Sequence, residues 1–268
     1  MGGDYLLASR EGLHHVNRKG SRPLAQGRFF GVVCRGDDVF AFINTAPDET
    51  GDSDVSGAIV AYSRDGDGLV NRRVVVEGLD HNCHQIDFFD GSFFVVDTFH
   101  QRIIEYDGDW LRIASHQILP PADRDGPGYA HINSIAGDAH TVRVLLHNGQ
   151  RGFPSEIVEY DRAFHERGRT ILPGSACHDI VALEDGRLLT CLSAKGQIAI
   201  VGGEVFEIDQ HWTRGLAAGP DEIAVGSSLY GARLARTILP GFVTFLDRDF
   251  RQTGRIYVPA APTQLRTF

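Results

Sequence analysis

Methionine occurs once and tryptophan twice in these 268 residues, and no apolar run approaches the length of a membrane-spanning helix. The four cysteines (Cys34, Cys83, Cys177, Cys191) show no C-x-x-C spacing, so neither a cysteine zinc module nor a dithiol redox pair is written here. The start, Met1-Gly2-Gly3-Asp4-Tyr5, has no basic segment followed by an apolar one. It does not read as a secretory signal, so reduced thiols and a cytoplasmic location are the expectation. Runs of Lys or Arg are missing, and 26 basic against 35 acidic residues leave a net charge of -9. That balance argues against nucleic acid and membrane surfaces as partners. The chain also lacks a G-x-S-x-G elbow, a Walker loop and a dinucleotide fingerprint. Its acidic stretch at 48–54 does not follow EF-hand spacing, and Asp65-Gly66-Asp67-Gly68 reads as a hairpin turn.

What is present is glycine, 31 residues of it, with 42% hydrophobic residues. That composition suits many short strands joined by tight turns. Asn82-Cys83-His84-Gln85-Ile86-Asp87-Phe88-Phe89, an Asp90-Gly91 turn and the apolar 93–96 form one unit. The pattern returns around Ile135, Ile180 and Leu216, and in weaker form around Val32. Each copy is a polar tip, a short apolar strand, an Asp/Gly turn and a second apolar strand. Third strands share a signature, as in Arg102-Ile103-Ile104-Glu105-Tyr106-Asp107 and Glu156-Ile157-Val158-Glu159-Tyr160-Asp161. Fourth strands follow each of them.

Four-stranded units in series are propeller blades. Residues 5–27 supply a second, third and fourth strand without a first, and residues 263–268 supply one spare strand. The expectation is therefore an all-β, six-bladed β-propeller over 1–268, with a composite blade closed by both ends of the chain. Five blades with an unpaired amino-terminal segment is the alternative. Irregular stretches at 47–56, 120–128 and 228–240 read as loops.

First strands of a propeller line its central channel. Two residues before the aligned apolar position of each lie Phe30, His84, Asn133, His178, Arg214 and Thr263. A purely structural strand would prefer Val or Ala there. Second-strand ends add Asn44, Asp97 and His147 as substrate-binding candidates, with His131 just outside the inner ring. His84 and His178, with Asn133 between them and His131 beside them, could ligate a divalent transition metal of the Zn or Fe class. Without metal, His84 and His178 could act as general base and acid, while Arg214 clamps an anionic group or stabilises developing charge. The competing reading is a channel whose polar mouth only holds water. Cys83 and Cys177, each one residue before a channel histidine, are expected to turn away into the packing between blades.

The unit His131-Ile132-Asn133-Ser134-Ile135-Ala136 and its Asp/Gly turn resemble the repeat of the SMP-30/gluconolactonase and NHL-like six-bladed propellers. In the former an Asn at this place is a metal ligand, which the resemblance maps to Asn133. Glutamate and aspartate on that family's other inner strands are replaced here by Phe30, His84, His178 and Arg214. His131-x-Asn133 and Thr213-Arg214-Gly215 are also similar to motifs in bacterial propeller proteins of unknown function. The expected activity is that of a small-molecule enzyme, a metal-dependent hydrolase or lyase acting on an anionic substrate. The alternative is a non-catalytic ligand-binding or protein-interaction propeller that uses the long loops.

Overall fold

The computed structural model describes residues 2–46, 55–124, 126–229 and 239–268. Its strands form six four-stranded antiparallel sheets. Blade 1 is β4 (Arg28–Arg35), β5 (Asp38–Asn44), β6 (Gly57–Asp65) and β7 (Gly68–Leu79). It follows β1 (Tyr5–Ser9), β2 (Gly12–Asn17) and β3 (Gly20–Gln26). Blade 2 is β8 (Ile86–Phe89), β9 (Ser92–Asp97), β10 (Arg102–Tyr106) and β11 (Arg112–Gln117). Blade 3 is β12 (Ile132–Gly137), β13 (Thr141–Leu146), β14 (Glu156–Asp161) and β15 (Glu166–Ile171). Blade 4 is β16 (His178–Ala182), β17 (Leu188–Leu192), β18 (Gln197–Ile200) and β19 (Val205–Glu207). Blade 5 is β20 (Trp212–Ala218), β21 (Ile223–Ser228), β22 (Gly241–Leu246) and β23 (Gln252–Val258), and β24 (Pro262–Thr267) follows it.

Closure is as the sequence implies. β24 pairs antiparallel with β1, Leu7 opposite Leu265 and Ala8 opposite Gln264, giving the composite sheet order β24-β1-β2-β3. The chain is a six-bladed β-propeller, and the five-bladed alternative falls away because no blade lacks its inner strand. Its apolar core is divided rather than central. Six clusters each join two neighbouring blades, for example Phe40, Phe42 and Ile59 of blade 1 with Ile86, Phe93 and Val95 of blade 2. Strand alternation explains this: both faces of a blade are buried, so β9 is apolar on every side while the outermost β11 is largely exposed.

One irregularity recurs on the inner strands. Register shifts fall between Phe29 and Gly31, Ile132 and Ser134, His178 and Val181, and Thr213 and Leu216, and on β1 opposite Thr263. A bulge leaves one residue unpaired and turns it out of the ladder. Phe30, Asn133, Arg214 and Thr263 sit at these shifts. The bulges thus aim side chains at the axis where a regular strand would have buried them between blades.

The residue after each axial position joins that blade to the next. Gln85 Oε1 accepts from Ile135 N, Ser134 Oγ from Asp179 N, Asp179 Oδ2 from Gly215 N and Gln264 Oε1 from Val32 N. At the two remaining joints this residue is glycine. A Cβ on Gly31 would stand 2.5 Å from the carbonyl oxygen of His84, and one on Gly215, whose φ is +87°, would meet the Gln264–Leu265 peptide at 3.3 Å. Four polar clasps and two close backbone approaches therefore close the inner ring.

Candidate active site at the channel mouth

The expected histidines converge. His84 and His131 have ring centroids 4.9 Å apart, His131 and His147 4.8 Å, and His147 and His178 5.1 Å. Phe30 continues the belt beyond His84 at 6.0 Å, and Trp212 continues it beyond His178 at 5.9 Å. Four imidazoles from blades 2, 3 and 4 thus form an unbroken arc around one mouth of the channel. His131 holds its place in a left-handed backbone conformation (φ +55°), uncommon outside glycine. Its Nδ1 is buried without a hydrogen-bond partner among the described residues.

Hydrogen bonds favour one tautomer in three of the rings. His84 Nδ1 lies 2.8 Å from the Asn82 carbonyl and 3.0 Å from the Thr98 hydroxyl. His178 Nδ1 lies 3.1 Å from the Ala176 carbonyl and 2.9 Å from the Ser193 hydroxyl. A carbonyl only accepts, so its contact favours the tautomer with the hydrogen on Nδ1 and the lone pair on Nε2 in both rings. His147 is the opposite case. Its Nδ1 accepts from the Gly149 N–H at 3.1 Å, which places the hydrogen of the neutral ring on Nε2. Base-like and donor-like imidazole edges therefore alternate at the His147–His178 contact.

Burial, reinforced by charge, keeps His84, His131 and His178 neutral. Burial holds His84 and His178 well below the ordinary imidazole range, and the positive charge of Arg214 pushes both further down. His131 is lowered first by burial, then by His147 and His84. Arg214 donates from Nε to the Thr263 carbonyl at 3.2 Å. Beneath the rings, His84, His178, Arg214 and Asp179 border a narrow axial recess of about 10 Å3, room for about one water. Burial raises the Asp179 carboxyl, although the Gly215 N–H and Arg214 act against that rise.

Other sequence candidates have structural work. Asn133 donates from Nδ2 to the Cys177 carbonyl at 2.9 Å and accepts at Oδ1 from Ser134 Oγ at 3.1 Å, which makes it a staple between blades 3 and 4. Asp97, 1% exposed, is held by His100 Nδ1 at 2.9 Å and Arg102 Nε at 2.7 Å, which commits its carboxylate within blade 2. Asn44 donates to the His81 carbonyl at 3.1 Å and accepts from Ala46 N at 2.9 Å, with both ends committed to loop structure. Among the described residues, no three His, Cys, Asp or Glu side chains are placed to hold a metal ion together. His84, His131, Asn133 and His178, the four named as metal ligands, lie close together at the mouth. The loops at 47–56 and 228–240, expected to carry the contact surface of a binding propeller, lie mostly outside the described residues.

Several residues at the mouth were not legible from the repeat. Arg10 follows β1 and stacks its guanidinium 5.3 Å above the Phe30 ring. Arg124, in the 120–128 loop, donates to Asn82 Oδ1 at 3.3 Å, and its charge also lowers His84 and His131. Thr98 and Trp212 complete the setting. A search for hydroxyls and cations one residue past each strand end would have found Thr98 and Arg10.

Cys83 and Cys177 turn away from the channel into the packing between blades, as expected. Cys83, Cys177 and Cys191 are fully buried, the first two in the clusters between blades. Burial pushes Cys177 up to about 11 and raises Cys83 and Cys191 well above the usual thiol range. A thiol reagent at pH 8 is expected to modify at most Cys34 in the native protein and all four cysteines after denaturation. Rapid native modification of two or more would contradict this packing.

No family model matches the chain, and no curated protein matches it in sequence. Solved structures do. The propeller of a nidogen/laminin complex superposes with a TM-score of 0.70 at 11% identity, over 99% of this chain and 98% of that one. A protein of unknown function from Bacteroides caccae gives 0.63 at 12% identity, over 99% and 98%. The virginiamycin B lyase of Staphylococcus aureus gives 0.53 at 13% identity, over 86% and 84%. The likeness is one of fold. These neighbours include both a lyase and a member of a protein complex, so the chemistry must be read from this chain's own residues.

Proposed function

We propose that the protein is an enzyme of the hydrolase or lyase class that acts by proton transfer on a small anionic molecule at the histidine arc. The observation that carries this reading is the setting of two adjacent rings: His178 Nδ1 lies against the Ala176 carbonyl, which favours a hydrogen there and a lone pair on Nε2, while His147 Nδ1 accepts from the Gly149 N–H, which favours a hydrogen on Nε2. His178 Nε2 takes a proton from the substrate or from water, and His84 Nε2 offers a second base across the arc. Nε2–H of His147 donates a hydrogen bond to the oxygen on which negative charge develops. Protonated His178 then returns its proton to the leaving oxygen, so both rings end neutral. Arg214 holds the anionic group. Among the fold neighbours, the lyase of Staphylococcus aureus is compatible with the elimination form of this chemistry.

A second reading keeps a divalent transition metal of the Zn or Fe class. It is favoured by the unprotonated Nε2 atoms of His84 and His178 and by the unpartnered Nδ1 of His131. Those three rings would hold the ion, which would supply Lewis acidity after the side chains reorient. One experiment addresses both readings. Protein purified without an affinity tag is analysed for metal, and is assayed before and after chelation on a panel of carboxylated esters, lactones and 3-hydroxy acids. Turnover that survives chelation supports the acid–base reading. Stoichiometric metal, with turnover lost on chelation and restored by the ion, supports the second. Absence of turnover across the panel, with no metal bound, would sink both.

A further inference from the structure

The histidine arc sits at the mouth where the inner strands begin. At the other mouth, the carboxyl ends of β8, β12, β16, β20 and β24 enclose about 200 Å3. Buried Phe89, Ile180 and Leu216 line this cavity, and exposed Ala182 and Thr267 stand at its rim. An ion pair is set into the wall. Arg266 Nη2 lies 3.2 Å from Asp87 Oδ2, joining the composite blade to blade 2 past blade 1, with the side chains 16% and 20% exposed. Asp87 Oδ1 also accepts from Phe88 N at 2.8 Å, and Arg266 Nη1 donates to the Leu265 carbonyl at 3.2 Å. Burial raises the Asp87 carboxyl and the Arg266 charge opposes that rise, so each charge depends on the other.

We infer that this cavity is a second ligand site, which takes an uncharged, ring-sized molecule bearing one hydrogen-bond acceptor, such as a cyclic ketone or lactone. The inference is independent of the chemistry at the arc. An apolar wall with one polar pair set into it is the make-up of a small-molecule site. Volume sets the scale: a cavity of about 150 Å3 lined by Leu, Ile and Phe takes up benzene, and this one is somewhat larger. Charge sets the class. Asp87 and Arg266 neutralise each other, so a carboxylate would be brought against Asp87 and an ammonium against Arg266. Either would lose its water with no unbalanced opposite charge to replace it. A guanidinium has five N–H donors and no acceptor. Arg266 spends one on Asp87 and one on Leu265, so the head group it can serve is an accepting oxygen.

The test uses the full chain and three probes of one shape. Cyclohexanone, titrated into 15N-labelled protein, is expected to shift amides saturably at this mouth, Gly137 and Val181 among them, and to leave those of His84 and His178 in place. Cyclohexanecarboxylate and cyclohexylammonium should each bind here at least about tenfold more weakly, the cost of stripping an ion of water beside a pair already balanced. Asp87→Asn uncovers the Arg266 charge and should bring the carboxylate at least level with the ketone. Arg266→Gln uncovers Asp87 and should do the same for the ammonium. Because shifts at the arc report the first site alone, failure of the acid–base reading leaves this result intact, and the wild-type ranking decides the matter even where a variant does not fold. No saturable shift at this mouth, a charged probe binding as tightly as the ketone, or a folded variant that leaves the ranking unchanged would overturn the inference.

Discussion

A chain cut after Ala261 is expected to lose its cooperative fold. The missing strand is short, but Thr263, Gln264 and Leu265 are almost wholly buried. Leu265 packs with Leu7, Val16 and Phe245, and removing such a side chain alone costs about 2–5 kcal/mol. Loss of Gln264 leaves Val32 N without its acceptor, and loss of Thr263 removes a hydrogen bond to the Phe29 carbonyl. Each such buried group costs about 1–3 kcal/mol. The Arg266–Asp87 pair at 3.2 Å, which reaches from the composite blade to blade 2, goes with them. Added to an exposed edge on β1, these losses rival the roughly 5–15 kcal/mol that keeps a domain folded. Circular dichroism and thermal melting of the truncated chain provide the check. A sharp transition within about 4 °C of the full-length protein, a loss of only 1–2 kcal/mol, would show that the ring does not need this strand.

Replacing His178 by glutamine is expected to lower turnover of a cleaved substrate by about 10²–10⁴, the range of general acid–base catalysis. The fold should be retained, since the ring is one of several buried contacts in blade 4. Dependence on pH adds a sharper test. Burial and then Arg214 hold His178 well below 6.5, so the ring remains a base as the medium is acidified past the ordinary imidazole range. The acid limb of kcat/KM should therefore lie well below pH 6.5. Arg214→Gln removes a cation that disfavours protonation, so it must move that limb upward, whatever it does to the plateau. A limb that stays put or moves down would mean that another group sets it. The same rings bear on stability. They are neutral when folded and take up protons near pH 6.5 when unfolded, so stability should fall as pH drops below that value and be unaffected above it.

The fold was legible because the repeat is written in period-two strands and Asp/Gly turns, and because the first strand missing at one end is supplied by the other. Six positions counted back from Ile, Leu or Val also found the axis, and they brought His84, His178 and Arg214 together correctly. The count was less informative about Asn133. Polar residues on inner strands serve two purposes, and nothing in the one-letter pattern separates a staple to the next blade's carbonyl from a group facing the channel. The pairing of Asp97 was hidden for a related reason: its partners, His100 and Arg102, lie three and five residues on, within reach only after the turn folds back. Arg10 and Arg124 sit in turns outside the repeat, where no periodicity points to them. Tautomers were beyond reach altogether, since they depend on the Asn82 and Ala176 carbonyls rather than on side-chain identity.

The four side-chain clasps around the inner ring all run the same way, each reaching forward to the backbone of the next blade, while blades 1 and 5 offer glycine at that place. A unit so built brings one hook and one eye of its own. Duplication or loss of a whole unit would leave every remaining hook with an eye to catch, without compensating substitutions elsewhere. What such an event would disturb is the curvature that sets four imidazoles side by side, so the spacing of those rings, and not folding, is where a change in blade number would first be felt.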